Sequence, residues 1–184
     1  MSVYYPGASC EEDVPQHVCN PCAPTEGGRI QAAAYVHKDY KDILAASPDD
    51  TEVWLAGIAA GLIKIIPEVS GTSNGGEKVV GAGYGSKKEK VKGRNYVVAY
   101  KDPNYDGNCE FYSQMELSGA WHFYYKTETL GHLSDKSISL FTNNPVTENL
   151  EDDIVWNAEV TWFQKRPVCP LPTPADVFEC FQIA

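Results

Sequence analysis

The most constraining feature of this sequence is the segment 154–163, in which apolar and polar side chains alternate. The apolar positions are Ile154, Trp156, Ala158, Val160 and Trp162, and the polar positions between them include Asn157, Glu159 and Thr161. Successive side chains of a β-strand point to opposite faces, so a period of two predicts a strand with one face in a core and the other toward solvent. Such a strand is typical of an antiparallel sheet that leaves one face in water.

The middle of the chain contains further segments rich in β-branched and aromatic residues, which are typical of strands. Strands are predicted at 30–37, 63–69, 94–100, 109–117 and 121–127, and a looser alternation at 133–141. The connections between the last three of these strands are short. They consist of the turn-forming segment 102–107 and of Ser118 with Gly119. Short connections join antiparallel neighbours.

Helix is predicted at two places only. Residues 40–47 can form two turns with Asp39 as N-cap. In 53–62, Trp54, Ile58 and Leu62 share one helical face, although the glycines in that segment leave a Gly-interrupted strand as the alternative. The sequence therefore predicts a mainly β fold, an antiparallel β-barrel or sandwich with one or two short helices.

Cysteine and proline are concentrated at the two ends of the chain. Five of the six cysteines are terminal, namely Cys10, Cys19, Cys22, Cys169 and Cys180. Proline fixes φ and has no backbone N–H, so Pro-rich segments do not form central strands or long helices. We therefore expect an extended N-terminal arm (1–29), a β domain (30–166) and an extended C-terminal arm (167–184).

The terminal cysteines have three interpretations. Cys19 and Cys22 form a CxxC, whose spacing lets two thiolates bind one zinc ion, but there is no second CxxC. Free thiols are expected in a reducing cytoplasm, whereas disulfides between the arms are expected in a particle that leaves the cell. The sequence does not choose between free thiols, disulfides and a metal site.

The segment 70–93 is rich in glycine and lysine, and a long loop is predicted there. It contains the chain's basic cluster, Lys87, Lys88, Lys90, Lys92 and Arg94. With Glu89 this cluster has a local charge of +4, which leaves −14 for the rest of a chain of net charge −10. It is either a solvated tip or a contact arm that docks on an acidic patch of a neighbouring copy, and phosphate binding is a third use. Acidic patches lie at 11–13, at 49–52 and at 151–153.

The segment 102–107 matches the first half of a calcium-binding loop. Asp102, Asn104 and Asp106 place oxygen side chains at alternate positions, followed by Gly107. The twelfth position of such a loop would be Ser113, where the bidentate Glu belongs. Asp, Pro, Asn and Gly are also the usual turn formers, so a turn is the favoured interpretation.

Charge and motifs exclude several classes of protein. A net charge of −10 argues against a nucleic-acid coat and against a basic membrane-surface binder, and no apolar run is long enough to span a bilayer. The N-terminus lacks the features of a secretory signal, which predicts assembly in the cytoplasm. No nucleophile elbow accompanies the four histidines, and His122 within a predicted strand is expected to be structural. We therefore predict a non-enzyme without a cofactor.

Three features together resemble tail-tube and related virion proteins of tailed bacteriophages. They are the antiparallel β unit, the Gly/Lys loop between strands, and the terminal strand Trp156-Asn-Ala-Glu-Val-Thr-Trp162, to which Trp54 and the segment 61–69 add. The resemblance covers about residues 29–165. It implies a barrel or sandwich flanked by a helix, rings whose inner strands join into one barrel, a long loop that grips the next ring, and a negative lumen. The Cys- and Pro-rich arms differ from the usual tube subunit, which leaves tube, terminator, connector and decoration proteins open.

The expected function is thus that of a virion structural protein, assembled in the host cytoplasm, whose copies form rings or a tube. Its partners would be copies of itself and other virion proteins, and DNA would pass without being bound specifically. The alternative is a secreted β-sandwich adhesion or carbohydrate-binding module, which the abundant aromatic residues and the even number of cysteines favour.

Overall fold

A computed structural model describes residue 17 and residues 26–85, 89–149 and 151–178. In chain order its elements are β1 (Ala32–His37), α1 (Lys38–Ala46), α2 (Thr51–Ala59), β2 (Ile63–Ile66), β3 (Ser70–Ser73), β4 (Glu77–Ala82), β5 (Glu89–Asp102), α3 (Cys109–Leu117), β6 (Trp121–Lys126), β7 (Leu130–Leu133), β8 (Ser139–Asn143), β9 (Trp156–Gln164) and β10 (Pro170–Pro172). Within this part of the chain, no helix has the length and apolar character needed to cross a membrane.

The strands form two antiparallel sheets. Sheet 1 has the order β10-β7-β6-β1-β2, and sheet 2 has the order β3-β5-β9-β8, with β4 also paired to β5. A core between the sheets is built from their facing side chains, with Tyr35 and Phe123 on one side and Tyr100 and Val160 on the other. The predicted mainly β, antiparallel fold is confirmed, and the sandwich is the form that it takes.

The alternation in β9 is confirmed. Trp156, Ala158, Val160 and Trp162 are buried, and the residues between them face outward. Residue pairs run in register from Arg94 opposite Gln164 to Asp102 opposite Trp156, so β5 and β9 form the centre of sheet 2. Only the first predicted position differs, because Ile154 precedes the strand and is exposed.

Two helices cover the outer face of sheet 1. Leu44 of α1 and Trp54 of α2 pack against Ala34, Val36 and Tyr124, so β1 is buried on both faces. Both predicted helices are confirmed, but α1 begins earlier than expected. Its N-cap is His37, whose Nδ1 accepts from the Asp39 N–H at 3.4 Å, and Asp39 lies in the first turn. The second helix has Asp50 as N-cap.

The predicted strand at 109–117 is wrong, because this segment is the helix α3. Its aromatic residues favour a strand locally, but tertiary contacts decide the outcome. Tyr112 and Met115, three residues apart, are buried on one helical face, and Gln114 Nε2 donates to Glu110 Oε1 at 2.8 Å along the helix. The segment 102–107 therefore joins a strand to a helix instead of two strands.

The long loop predicted at 70–93 is also wrong over most of its length. Residues 70–73 form β3, residues 77–82 form β4, and residues 89–93 begin β5. Glycine lowers strand propensity, yet a glycine is required where side chains approach closely. A Cβ on Gly71 would lie 2.7 Å from the carbonyl oxygen of Ala99, and a Cβ on Gly93 would collide with the Phe163 ring. The glycines therefore fit the sheet that they were expected to interrupt.

Both arms are tied to the domain where the structure describes them. In the C-terminal arm, β10 pairs with β7, and Val177 packs in the cluster around Trp54. In the N-terminal arm, the Glu26 carboxylate accepts from Thr127 Oγ1 at 2.6 Å and from the Thr129 N–H at 2.7 Å. These hydrogen bonds, first that from Thr127, lower the pKa of Glu26 from its ordinary 4.5 to about 2. Residues 1–16, 18–25 and 179–184 lie outside the described part.

Candidate functional site

The basic segment lies on a two-stranded ribbon at one end of sheet 2. Residues 89–91 of β5 pair with residues 80–82 of β4, whereas β9 pairs with β5 only from Arg94 onward. We call residues 77–82 and 89–93 the β4–β5 ribbon. Val80 and Val91 face each other across it and are exposed, and Tyr84 beyond β4 is 86% exposed. The described residues thus leave the far half of the ribbon without sandwich strands beside it.

A bulge shapes the ribbon where it leaves the sheet. Val79 pairs with Gly93 and Val80 pairs with Val91, so Lys92 is the extra residue on β5. Bulges increase the local twist and redirect a strand. The Lys92 side chain lies across Gly81, where a Cβ would collide with it. The bulge therefore turns the ribbon and holds one of its lysines against the partner strand.

The predicted basic cluster is only partly described. Lys90, Lys92 and Arg94 lie on β5, while Lys87 and Lys88 lie outside the described residues. Within the described part, Lys78 and Glu89 form a surface ion pair at 4.0 Å, and Arg94 donates to the Gly76 carbonyl at 3.4 Å. Such an exposed pair contributes little, so the lysines stay available for a partner.

An acidic loop lies at the opposite end of the same sheet. Because β5 and β9 are antiparallel, Trp156 pairs with Asp102, the last residue of β5. The loop between β8 and β9 therefore emerges at that end; its acidic residues are Glu148, Glu151, Asp152 and Asp153, all exposed, and residues 144–155 contain no Lys or Arg. At ~3.3 Å per residue, the twelve residues from Lys90 to Asp102 separate the two charged ends by about 40 Å.

The other two predicted acidic patches, at 49–52 and 11–13, are not part of the acidic loop opposite the ribbon. Asp50 caps α2, accepting from the Glu52 N–H at 2.9 Å, so the patch at 49–52 has a role in the helix. The patch at 11–13 lies outside the described residues.

Asp102, the first residue of the calcium motif, is occupied by hydrogen bonds within the protein. Asp102 is 2% exposed; its Oδ1 accepts from the Asn104 N–H at 2.9 Å and its Oδ2 accepts from the Tyr112 hydroxyl at 2.7 Å. Asn104 and Asp106 are exposed. No three His, Cys, Asp or Glu side chains gather into a metal-binding group among the described residues. Turn chemistry and the anchoring of α3 account for the motif.

The cysteines are only partly described. Cys169, in the C-terminal arm, and Cys109, at the start of α3, are exposed free thiols. Cys10, Cys19, Cys22 and Cys180 lie outside the described residues. The choice between free thiols, disulfides and a metal site for the arms therefore stays a prediction.

The strand histidines have structural surroundings. His122 is buried, with Nδ1 3.1 Å from the Ser134 carbonyl oxygen, and burial lowers its pKa. His132 stacks on Tyr125 with ring centroids 4.7 Å apart, and burial lowers its pKa too. Neither ring is hydrogen-bonded to a serine hydroxyl or a thiol of the described residues.

A second surface, not predicted from the sequence, is a groove on the outer face of sheet 2. It has a volume of about 760 Å³ and crosses β3, β5, β9 and β8. Phe141, 63% exposed, stands on the same face as Glu159, its partner on β9. One feature of the sequence could have indicated this surface: the aromatic Phe141 lies on the same side of β8 as the polar Ser139 and Asn143.

Comparison of the chain with protein-family models, with curated proteins and with solved structures found no match. The surfaces that bear on function are therefore the two charged ends of sheet 2 and its outer face.

Proposed function

We propose that this chain is a virion structural protein whose copies stack head to tail into rings or a tube through which DNA passes. The observation that carries the proposal is the separation of charge along sheet 2, with a basic ribbon at one end and an acidic loop at the other. Surfaces of opposite charge at opposite ends of one molecule are complementary between two copies that point the same way.

A contact of this kind is heterologous, because the ribbon of one copy meets the loop of the next. Heterologous contacts generate rings when the rotation closes and open filaments when it does not. The exposed Val80, Val91 and Tyr84 on or beside the ribbon would add apolar area to the charged contact. A two-stranded ribbon is marginally stable alone, so docking on a neighbour would also stabilise it.

The edges of the sheets limit how copies can join side by side. At the β8 edge, Glu116 Oε1 accepts from the Thr142 N–H at 2.5 Å, so this backbone donor is already used. At the β10 edge, Pro170 and Pro172 have no N–H to offer. Within the described residues, lateral pairing of strands would therefore use β2 or the side of sheet 2 formed by β3 and β4.

The overall charge supports passage of DNA without binding. The chain carries −10, and the residues outside the basic cluster carry −14. Like charges repel, so a surface of this composition keeps a polyanion mobile instead of retaining it. The basic cluster would be covered by the neighbouring copy in the stacked form.

The stacking proposal predicts that reversing two ribbon charges weakens assembly. Lys90→Glu with Lys92→Glu replaces attraction by repulsion at the loop of the neighbour. As the control, Lys38→Glu with Lys136→Glu makes the same change of net charge on exposed positions of α1 and of the connection between β7 and β8. Exposed pairs contribute ~0.2–1 kcal/mol each, so the ribbon variant should need about tenfold more protein or higher to assemble. Native mass spectrometry and negative-stain electron microscopy measure this difference.

Mixing complementary variants makes the test specific. Glu151→Lys with Asp153→Lys should fail to assemble alone and should assemble when mixed with the ribbon variant, because the reversed charges match again. A native protein that stays monomeric at high concentration, or a ribbon variant that behaves like its control, would refute the proposal. Assembly should also weaken between 0.15 and 1 M salt, as the screening length falls from about 8 to about 3 Å.

A further inference from the structure

The outer face of sheet 2 differs from that of sheet 1 in being uncovered. Helices α1 and α2 cover sheet 1, but the described residues place no helix or strand over this face of sheet 2. Strand pairing defines its rows: Thr72, Ala99, Glu159 and Phe141 lie side by side across the four strands, and Ser70, Lys101, Asn157 and Asn143 form the next row.

Small residues make this face concave. Gly71 and Ala99 both line the groove. Ala99 presents only a methyl group to it, and Gly71 pairs with the core residue Tyr100, so it adds no side chain to this face. Phe141 rises at the β8 side, and Arg29 lines the opposite side next to β3. The volume of about 760 Å³ lies in the range that holds small ligands, ~300–1,000 Å³.

The lining combines an exposed aromatic ring with side-chain amides and a carboxylate. Asn157 Nδ2 donates to Asn143 Oδ1 at 3.1 Å, which orients the two amides; Asn157 Oδ1 and Asn143 Nδ2 form no hydrogen bond with the described residues. Glu159 has no ion pair with a described residue. Planar amide and carboxylate groups can engage adjacent hydroxyls, and an exposed ring offers a flat apolar surface.

Two cations lie at the far side of the groove from Phe141. Arg29 and Lys101 are exposed and form no ion pair with the described residues, although the chain carries −10 overall. They also line an adjoining groove of about 540 Å³. The Cα atoms of Lys101 and Phe141 are about 12 Å apart. Their strands, β5 and β8, are two strand spacings apart (~4.8 Å each), and the two residues are offset by two positions along the strands (~3.4 Å each).

We propose that this groove binds an acidic oligosaccharide, with one sugar ring against Phe141, ring hydroxyls on Asn143, Asn157 and Glu159, and a carboxylate of another unit between Arg29 and Lys101. Charge complementarity selects the acidic sugar, because neither cation has an ion-pair partner among the described residues. Glu159, beside Phe141 in the groove, disfavours a nucleic acid or a sugar chain with a charge on every unit, because it would repel the anionic unit next to it; it favours a chain whose unit at Phe141 is neutral and whose acidic unit lies at the two cations. The amide row disfavours an apolar peptide, since burying unpaired amides is costly.

Isothermal titration with 3′-sialyllactose, which carries a single carboxylate, and with a neutral trisaccharide that shares its lactose core, tests this proposal. The acidic ligand should bind about tenfold or more tightly than the neutral one, because hydrogen bonds to charged groups exceed neutral ones. Phe141→Ala should weaken binding of both by about tenfold, and Phe141→Trp should preserve it. Phe163→Ala is the matched control, since Phe163 is a 43% exposed aromatic on a sheet-2 strand but does not line the groove.

Removing the two cations should change ligand binding in a different way from removing the Phe141 ring. Arg29→Ala with Lys101→Ala should remove the preference for the acidic ligand and leave neutral binding unchanged, and circular dichroism melting checks that each variant folds. The ribbon variant Lys90→Glu/Lys92→Glu should bind as the native protein does, because the groove is distinct from the stacking contact. Absence of binding to either ligand, equal losses in Phe141→Ala and Phe163→Ala, or a change of particle mass instead of glycan affinity in Phe141→Ala would each overturn the proposal.

Discussion

Removing the hydroxyl of Tyr112 should cost more stability than removing any other tyrosine hydroxyl of the core. Tyr112 is fully buried and donates to Asp102 Oδ2 at 2.7 Å, and this bond connects α3 to the end of β5. Burial, and then the hydrogen bond to Asp102, raise the pKa of Tyr112, so its hydroxyl stays protonated and keeps donating. Tyr112→Phe keeps the ring and its packing but leaves the carboxylate without this donor.

The size of the stability loss in Tyr112→Phe follows from the type of hydrogen bond that is removed. A hydrogen bond to a charged group contributes ~1.5–3 kcal/mol, and the upper part of this range applies because Asp102 is only 2% exposed. We therefore expect a loss of about 2–3 kcal/mol. Tyr35→Phe is the matched control: it removes the 2.7 Å bond between the Tyr35 and Tyr100 hydroxyls, which joins two neutral groups and contributes ~0.5–1.5 kcal/mol.

Urea unfolding followed by tryptophan fluorescence measures both variants. The midpoint should fall in each, further in Tyr112→Phe, while the slope of free energy against urea stays unchanged because the folded state is equally compact. For a domain of this size, the Tyr112 variant should melt about 5–10 °C below the native protein. If Tyr112→Phe costs no more stability than Tyr35→Phe, then the charge of Asp102 does not strengthen its hydrogen bond with Tyr112.

Two further predictions concern acid and the sheet edge. The bonds of Glu26 stabilise its contact above pH 4.5 and are lost as pH falls toward about 2. The protection factors of the Thr129 and Leu130 amides, which compare each exchange rate with that of an unstructured chain at the same pH, should therefore fall in that interval, and should already be lower at pH 7 in Glu26→Gln; unchanged protection factors would contradict it. Glu116→Ala should expose the Thr142 N–H at β8 and promote association by light scattering, whereas Glu110→Ala on the same helix should not; equal scattering would count against the capped edge.

The sequence predicts those elements whose spacing of apolar residues along the chain matches the face that is buried in the folded protein. The alternation of β9, the apolar run of β1 and the helical face that begins at Trp54 are local patterns, and each forms the predicted element. The strand predicted at 109–117 is wrong because its aromatic residues favour a strand, whereas the three-residue spacing of Tyr112 and Met115 places them on one face of a helix and on opposite faces of a strand. The hydrogen bond from Tyr112 to the buried Asp102 adds to the contacts that hold this helix.

The candidate surfaces depend on pairings between distant residues. The basic and acidic segments are visible in the sequence, but their placement at opposite ends requires the antiparallel register of β5 and β9. The groove was missed because Phe141 is close to Arg29 and Lys101 only through four paired strands. Glycines at 71, 81 and 93 favour a loop in the sequence, because the close approach of their neighbours exists only in the folded sheet.

The location of the ribbon and the loop at opposite ends of sheet 2 has a consequence for growth. Every stack built by this contact has polarity: its first copy displays a bare ribbon and its last copy a bare acidic loop. The two termini therefore need chemically different stoppers, one anionic and one cationic. A short soluble mimic of either charged segment should halt elongation from one terminus while the other continues to extend.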